Sequence, residues 1–323
     1  MRAAVMRRFG GPEVLRIEDV EEPKPMQGWV TVRLRAAALN WHDVLVRRGL
    51  YGSPLPHVPG ADGAGEVVGT GEEVLILPSL GWGTDEAAPG PEWQILGDRT
   101  RGTYAEVVSV PQECVFSKPK SLTWAEAAAL PLVGVTAYRA LISRGGLGVG
   151  ERLLVLGAGG GLAPMAVALA TGVGAQVVVT SSSEEKIASA MEIGAVGGTR
   201  YDRADWVDAA QRIVGGGFDV VLDAVGTWNE SLTALRPGGR LVVLGASRKE
   251  AANLSIRPFY FGQHSIIGTT MGSPRDLVEL VALVEAGTVR MPPVDSVFPL
   301  AEVAAAHRRI ESGDPFGKLI LEI

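Results

Sequence analysis

Over the first third of the chain, apolar and polar positions alternate in short runs bounded by Gly and Pro: WVTVRL at 29–34, GEVV at 65–68, EVLIL at 73–77 and YAEVVSV at 104–110. A period of two predicts half-buried strands, and so a β-rich segment reaching to about residue 118. Residues 78–97 carry no period, which is long for a plain connection and predicts a lobe anchored by Trp82 and Trp93. From Thr123 onward the pattern changes. The runs LLVL (153–156), VVVT (177–180), FDVVLDAVG (218–226) and GGRLVVLGA (238–246) are apolar without alternation, and helical stretches separate them. Strands of that kind, buried on both faces, predict a parallel βαβ sheet. The helix expected over 184–193 has a natural stop at Gly194. After about residue 259 the pattern predicts a helix at 276–286, a strand at 296–299, a helix at 301–312 and a terminal strand in GKLILEI. This tail is long enough to return to the first domain and complete it.

Length and composition sharpen this picture in three places. A chain of 323 residues exceeds one comfortable core, so two domains are expected. A formal charge of -6 with no basic cluster argues against nucleic-acid or anionic-membrane partners. The single Cys114 excludes an intramolecular disulfide and any multi-cysteine zinc site, which suits a cytoplasmic protein. The amino-terminal residues lack the apolar run of a signal peptide. Residues 153–183 carry no charge and are long enough to span a bilayer, yet glycines and Pro164 divide them into strand, turn, helix and strand. No membrane span is expected.

The strongest chemical signal is LLVLGAGGGLAPMAVALA, where a strand meets Gly157, Gly159, Gly160, Gly161 and Leu162 before a helix. Missing β-carbons let backbone approach a pyrophosphate, whose charge is favoured by free N–H groups and the helix dipole. Strand, glycines, helix and second strand follow in the order a dinucleotide requires. Where an NAD site typically places an acidic residue for the ribose, this chain has Thr180, Ser181, Ser182 and Ser183, with Lys186 nearby. That favours NADPH, while Glu184 and Glu185 keep NADH open. The serines also suit capping of the next helix, and the two readings are compatible.

Several segments together resemble the medium-chain dehydrogenase/reductase superfamily, particularly its quinone oxidoreductase-like and zinc-type alcohol dehydrogenase-like branch. They are ALNWHDVLVRRG (38–49), PGADGAGEV (59–67), GTYAEVVSVP (102–111), EAAALPLVGVTAYRAL (126–141), the glycine loop, LRPGGRLVVLGA (235–246) and HRRIESGDPFGKLIL (307–321). The resemblance implies an α/β protein with a GroES-like β-rich catalytic domain from 1–120 and 264–323. A Rossmann domain, 121–263, carries a doubly wound parallel sheet, and the active site lies in the cleft between the two domains. Homodimers or homotetramers are usual for such proteins.

The departures from that family are informative. Zinc-dependent relatives carry a cysteine where this chain has Asn40 and a His-Glu pair where it has Ala61 and Asp62, and their four-cysteine lobe here holds none. No zinc is therefore expected. A metal-free site must polarise its substrate by hydrogen bonds and find a proton in a side chain, the cofactor ribose or water. Asn40 and Tyr51 are the candidates: by resemblance Asn40 lies beside the nicotinamide ribose and Tyr51 faces the cleft. By the same resemblance Thr136 sits near the nicotinamide phosphates, Tyr201 near the adenine, and Thr270 and Met271 near the nicotinamide. Ala224, Val225, Leu244, Gly245 and Ala246 join the cofactor set because they end strands of the predicted sheet. His42 and His57 are expected to be hydrogen-bonded loop histidines, His264 and His307 structural, Asp43 a brace for local backbone and Cys114 a packed side chain. The reading reached is a zinc-independent NADPH-dependent oxidoreductase acting on a small carbonyl, enone or quinone. An alcohol/aldehyde dehydrogenase, an enoyl reductase or a non-catalytic NADPH-binding protein are the alternatives.

Overall fold

A computed structural model describes residues 1–247 and 251–323, and the chain divides into two units. The first unit comprises Met1–Val135, Gly272–Glu285 and Pro293–Ile323; the second comprises Thr136–Met271 and Ala286–Pro292. The carboxyl-terminal tail thus supplies two segments of the first unit, with boundaries that differ from the expected 120 and 263.

In chain order the strands of the amino-terminal part are β1 (Arg2–Met6), β2 (Leu15–Asp19), β3 (Trp29–Ala38), β4 (Asp62–Val67), β5 (Glu73–Ile76), β6 (Ser79–Leu80), β7 (Gln94–Ile95), β8 (Val107–Pro111) and β9 (Val115–Ser117). Helices α1 (Trp41–Arg47), α2 (Trp124–Ala129) and α3 (Pro131–Tyr138) interrupt or follow them. The second unit holds β10 (Arg152–Val155), α4 (Leu162–Gly172), β11 (Gln176–Ser181), α5 (Glu184–Glu192), β12 (Gly197–Arg200) and α6 (Trp206–Val214). It continues with β13 (Phe218–Asp223), α7 (Trp228–Ala234), β14 (Leu235–Val243), α8 (Ile256–Phe261) and β15 (Ser265–Gly268). The tail supplies α9 (Pro274–Glu285), β16 (Val294–Pro299), α10 (Val303–Glu311) and β17 (Lys318–Glu322).

In the first unit β3 is the hub, pairing antiparallel with β4, β8 and β17. Val32 and Leu34 point inward while Arg33 and Arg35 stay exposed, and beyond them Ala36, Ala37 and Ala38 are all buried. Along this end β3 pairs with β4 on one side and β17 on the other. The core joins both ends of the chain, with Ala4, Val5 and Met6 packed in one cluster with Val303, Leu319 and Leu321. In the 78–97 lobe Trp82 is only 2% exposed and meets Trp93 edge-on, and Trp93 Nε1 donates to Ser79 Oγ at 2.7 Å. Both tryptophans anchor the lobe as expected.

Among the described residues, the second unit is built on a parallel sheet ordered β12-β11-β10-β13-β14-β15. The chain starts at β10 and winds outward in both directions, so the order reverses between β10 and β13. In open parallel sheets ligands bind outside the carboxyl ends of strands at such a point. Val178, Val221 and Leu241 from three strands pack with Phe218 and Ala210 into one apolar cluster.

The division differs from the expected one at 121–135, 264–271 and 286–292, the last of these lying in the second unit. Residues 121–135 belong to the first unit because α2, capped by Thr123 and Glu126, packs on β3 and β4. Residues 264–271 belong to the second because β15 adds the outer parallel strand beside β14.

Candidate functional site

The carboxyl edge of the parallel sheet gathers the residues expected to hold a dinucleotide in the second unit. β10 runs into Gly157 and Gly160, which take φ of +87° and +72°, values that L side chains rarely adopt, and nothing lies within 4 Å of where their β-carbons would be. Thr180 at the end of β11 holds the first of these turns: Gly157 N–H donates to its Oγ1 at 3.0 Å and Ala158 N–H to its carbonyl at 2.7 Å. Gly161 leads into α4, whose first turn places Leu162 and Pro164 beside the loop. A β-carbon on Gly159 would come within 3.0 Å of Lys186 Nζ, so the ammonium lies directly against the glycine loop.

The serine run divides its labour. Ser183 caps α5, its Oγ accepting from Lys186 N–H at 3.3 Å, while Ser181 Oγ accepts from Ser183 N–H at 3.1 Å. Ser182 is exposed. Tyr201 follows β12 and its N–H donates to the Ser181 carbonyl. Ala224 and Val225 follow β13, where Asp223, which sequence reasoning missed, accepts from Val225 N–H (2.6 Å), Gly226 N–H (2.8 Å), Thr227 N–H (3.0 Å) and Ser231 Oγ (3.2 Å). Leu244, Gly245 and Ala246 follow β14, and Leu244 N–H donates to the Asp223 carbonyl. Thr270 and Met271 follow β15, and Thr136 Oγ1 reaches Met271 Sδ at 3.8 Å. Strands that all run one way put these residues on one edge.

Asn40 belongs to a different cluster, in the first unit. It caps α1 at the end of β3, and its side chain is fully engaged: Nδ2 donates to Asp62 Oδ2 at 2.9 Å and Oδ1 accepts from Lys318 Nζ at 2.5 Å. Lys318, from β17 and 3% exposed, also donates to Asp62 Oδ2 at 3.0 Å, and Asp62 Oδ1 takes Leu132 N–H at the start of α3. Burial pushes the Asp62 carboxyl above its ordinary range, and Lys318 and Asn40 pull against it. An ammonium therefore stands between the two side chains at positions where zinc-dependent relatives place ligands. The polar atoms of both side chains are already hydrogen-bonded within the protein. Among the described residues no three His, Cys, Asp or Glu side chains gather to hold one.

Beside this lies a second polar group. His42, expected on a loop, sits in the first turn of α1, with Nε2 2.6 Å from Asp98 Oδ1 and Nδ1 3.6 Å from Asp43 Oδ1. Burial alone would lower its pKa, but Asp43 and Asp98 outweigh it and raise the imidazole to about 9. The ring of Tyr51, 40% exposed, lies 4.8 Å from that of His42. Asp43 braces backbone as expected, its Oδ2 accepting from Asn40 N–H and from Tyr104 Oη, both at 2.8 Å. Its own burial would raise its pKa, yet His42, Asn40 and Tyr104 together hold it low. His57 Nε2 meets the Gly97 carbonyl at 2.7 Å, and Cys114 is buried with its thiol pushed up to about 12, so it is no nucleophile at neutral pH. Sequence reasoning named neither Asp98 nor Lys318. Lys318 left one signal, a charge inside the apolar run GKLIL.

Known proteins match this chain throughout. A family model described as "Alcohol dehydrogenase GroES-like domain" matches residues 26–120, and one described as "Zinc-binding dehydrogenase" matches 161–286. A zinc-type alcohol dehydrogenase-like protein of Schizosaccharomyces pombe is 32% identical over 100% of this chain and 99% of its own length. Human quinone oxidoreductase is 30% identical over 99% of this chain and 97% of its own. A crystal structure titled as an NAD-dependent alcohol dehydrogenase superposes with a TM-score of 0.94 at 40% identity, covering 100% of both chains. Among the described residues no helix is long and apolar enough to cross a membrane. With a GroES-like domain, a parallel sheet wound outward from a glycine loop, and relatives matched end to end, this chain belongs to the medium-chain dehydrogenase/reductase superfamily of oxidoreductases.

Proposed function

We propose that the protein is a zinc-independent, NADP(H)-dependent oxidoreductase that reduces a small carbonyl, enone or quinone. The observation that carries the cofactor reading is the edge where β10 and β11 end: open glycine backbone, Ser181 and Ser182 in place of an acidic residue, and the Lys186 ammonium against Gly159. A carboxylate there would repel a 2′-phosphate, whereas hydroxyls and an ammonium accept it. The bound nicotinamide supplies hydride. Gly157–Gly161 backbone and the start of α4 hold its pyrophosphate, and Thr136, Tyr201, Ala224, Val225, Leu244, Gly245, Ala246, Thr270 and Met271 line the same edge. The absence of zinc is supported by the Lys318 ammonium seated between Asn40 and Asp62. Asn40 then acts as a fixed part of the scaffold, and the partly exposed Tyr51 is the side chain that gives a proton.

A second reading keeps NADH as the cofactor: the structure 40% identical to this chain is titled NAD-dependent, and Glu184 and Glu185 open α5 beside the serines. We also place the protein in the cytoplasm as a homodimer or homotetramer. Exposed Ile256, Tyr260 and Phe261 on α8, with β15 at the end of the sheet, offer the apolar surface such a contact needs.

The test is a titration of EDTA-treated protein with NADPH and NADH by cofactor fluorescence, followed by NADPH oxidation with a quinone, an enone and an aldehyde. NADPH-selective binding with undiminished turnover supports the proposal. Equal or tighter NADH binding moves the assignment to the second reading. Binding without turnover on any acceptor makes the chain a nucleotide-binding protein, and activity abolished by EDTA and restored by zinc overturns the metal-free reading.

A further inference from the structure

Tyr51 does not stand alone. Its ring rests 4.8 Å from that of His42, tilted by 53°, and His42 is in turn gripped from two directions. Asp43, one residue on in the same helix, faces Nδ1, and Asp98, from the loop that follows β7, faces Nε2 at 2.6 Å. Both carboxylates are nearly or fully buried, and 9% of the imidazole side chain reaches solvent. Such an arrangement is costly unless the imidazole carries a positive charge, since two buried carboxylates would otherwise face each other across a neutral ring. Asp98 also acts on Tyr51 directly: burial first, then the Asp98 charge, raise the phenol above its ordinary value.

We propose that His42 is a positioning residue for the reduction, an imidazolium fixed by Asp98 and Asp43 that seats the Tyr51 ring and shields its phenol from the Asp98 charge. The inference rests on Tyr51 being the proton donor of the proposed reaction. As hydride reaches the substrate carbon, the C=O bond gives its electron pair to oxygen. The Tyr51 O–H bond breaks, its proton passes to that oxygen, and the electron pair of the O–H bond remains on Tyr51 as phenolate. The adjacent imidazolium stabilises this negative charge while it lasts, and solvent water reprotonates the phenol. His42 neither gains nor loses a proton in the cycle. Both its nitrogens face carboxylates, which is why it acts through Tyr51 and not on substrate.

The charged groups around His42 fix the sign of the pH effect. Asp43 on its own helix and Asp98 from the opposite loop face it directly. Behind Asp43 stand Tyr104, Arg47 and His307, and near Asp98 stand His57 and Arg101. His42 stays charged up to pH about 9, so activity is retained below that value and falls as pH rises through it.

The experiment uses the full chain as wild type, His42→Gln, Asp98→Asn and Tyr51→Phe. One arm follows kcat and KM against pH on the best acceptor. The other titrates the Tyr51 phenol by NMR with 13C-labelled tyrosine, Tyr51→Phe giving the assignment and no substrate being present. Expected are a kcat lowered about 10- to 100-fold in His42→Gln with KM changed less than about threefold, and loss of the alkaline limb. In Asp98→Asn that limb moves to lower pH because His42 has lost one of its carboxylates. In the second arm the Tyr51 ring resonance of wild type steps at pH about 9, where His42 loses its proton, and that step is absent in His42→Gln. An unchanged kcat and alkaline limb, or a wild-type Tyr51 resonance with no step at that pH, overturns the role of His42. If the wild type turns over no acceptor, the proposed function falls while the phenol titration still decides whether His42 governs Tyr51. A normal His42→Gln with an inactive Tyr51→Phe leaves the function standing and removes this inference alone.

Discussion

At the scale of the residue, Lys318 is the position where one change has the most to disturb. Its ammonium satisfies Asn40 Oδ1 and Asp62 Oδ2 in a place that is 3% exposed. Lys318→Met keeps most of the stem and removes the charge, leaving a buried carboxylate with its cationic partner gone. Loss of one member of a buried pair costs roughly 3–5 kcal/mol. Thermal and urea unfolding check this, and a second change, Asp62→Asn, is expected to recover part of the loss because no unpaired charge then remains. The sequence hints at this lysine only as a charge in an apolar run, because its partners lie 278 and 256 residues away. Asp43 is readable where Asp98 is not for the same reason. Asp43 braces the N–H of Asn40 three residues before it, a contact that local spacing encodes, whereas Asp98 meets His42 only after β4 to β7 have brought the loop round. The family resemblance is what singles out Asn40 for chemistry, and nothing in the sequence reveals that both ends of its side chain are already taken.

At the scale of the element, the junction of β11 and α5 answers whether the serines cap a helix or read a phosphate. Ser183 Oγ accepts from Lys186 N–H, so Ser183→Ala is expected to cost about 1 kcal/mol of stability and to leave the preference between NADPH and NADH unchanged. Lys186→Ala is expected to do the reverse. Its stability cost is small, because alanine is the stronger helix former at this half-buried position of α5, while NADPH affinity falls and NADH affinity holds. Urea unfolding and paired fluorescence titrations separate the two effects; a Ser183→Ala variant that loses NADPH selectivity would reassign the hydroxyl to the phosphate. The glycine loop and its flanking strands are legible because unalternated apolar runs, missing β-carbons and a helix occur in a fixed order within thirty residues. The element that is not legible is β15. It is four residues long, only half-buried at Ile266 and Ile267, and takes its identity as a strand from pairing with β14. Short edge strands carry little local signal, which is why a boundary drawn at 263 puts these residues in the wrong unit.

At the scale of the whole molecule, chain length leaves room for the tail to return to the first domain, and the family resemblance is what implies that it does. The balance of buried charge this creates is not legible in the sequence. That return brings α10, with its buried His307, into the same core as β1, where Tyr104 packs edge-on at 5.8 Å and is held by Asp43. His307 has neither ring nitrogen hydrogen-bonded, and burial holds it neutral, its pKa lowered to about 4. His42, in the same unit, is raised to about 9. The two histidines therefore tilt stability in opposite directions. The contribution of His42 is complete below pH 6.5, the ordinary imidazole value, and disappears as pH climbs through 9. That of His307 is complete above 6.5 and disappears as pH falls through 4. Each tenfold change in proton affinity on folding is worth roughly 1.4 kcal/mol, so each limb spans about 3 kcal/mol, and stability of the first unit is expected to peak near pH 6.5 and fall on both sides. Because each limb has its own residue, two variants dissect the curve. His307→Leu replaces an unsatisfied buried ring with apolar volume and is expected to flatten the acid limb while leaving the alkaline one in place. His42→Gln is expected to flatten the alkaline limb and keep the acid one. Urea midpoints measured from about pH 4 to about 9.5 read both, and a wild-type profile that is flat across that range would show that neither imidazole is held as the surrounding charges require.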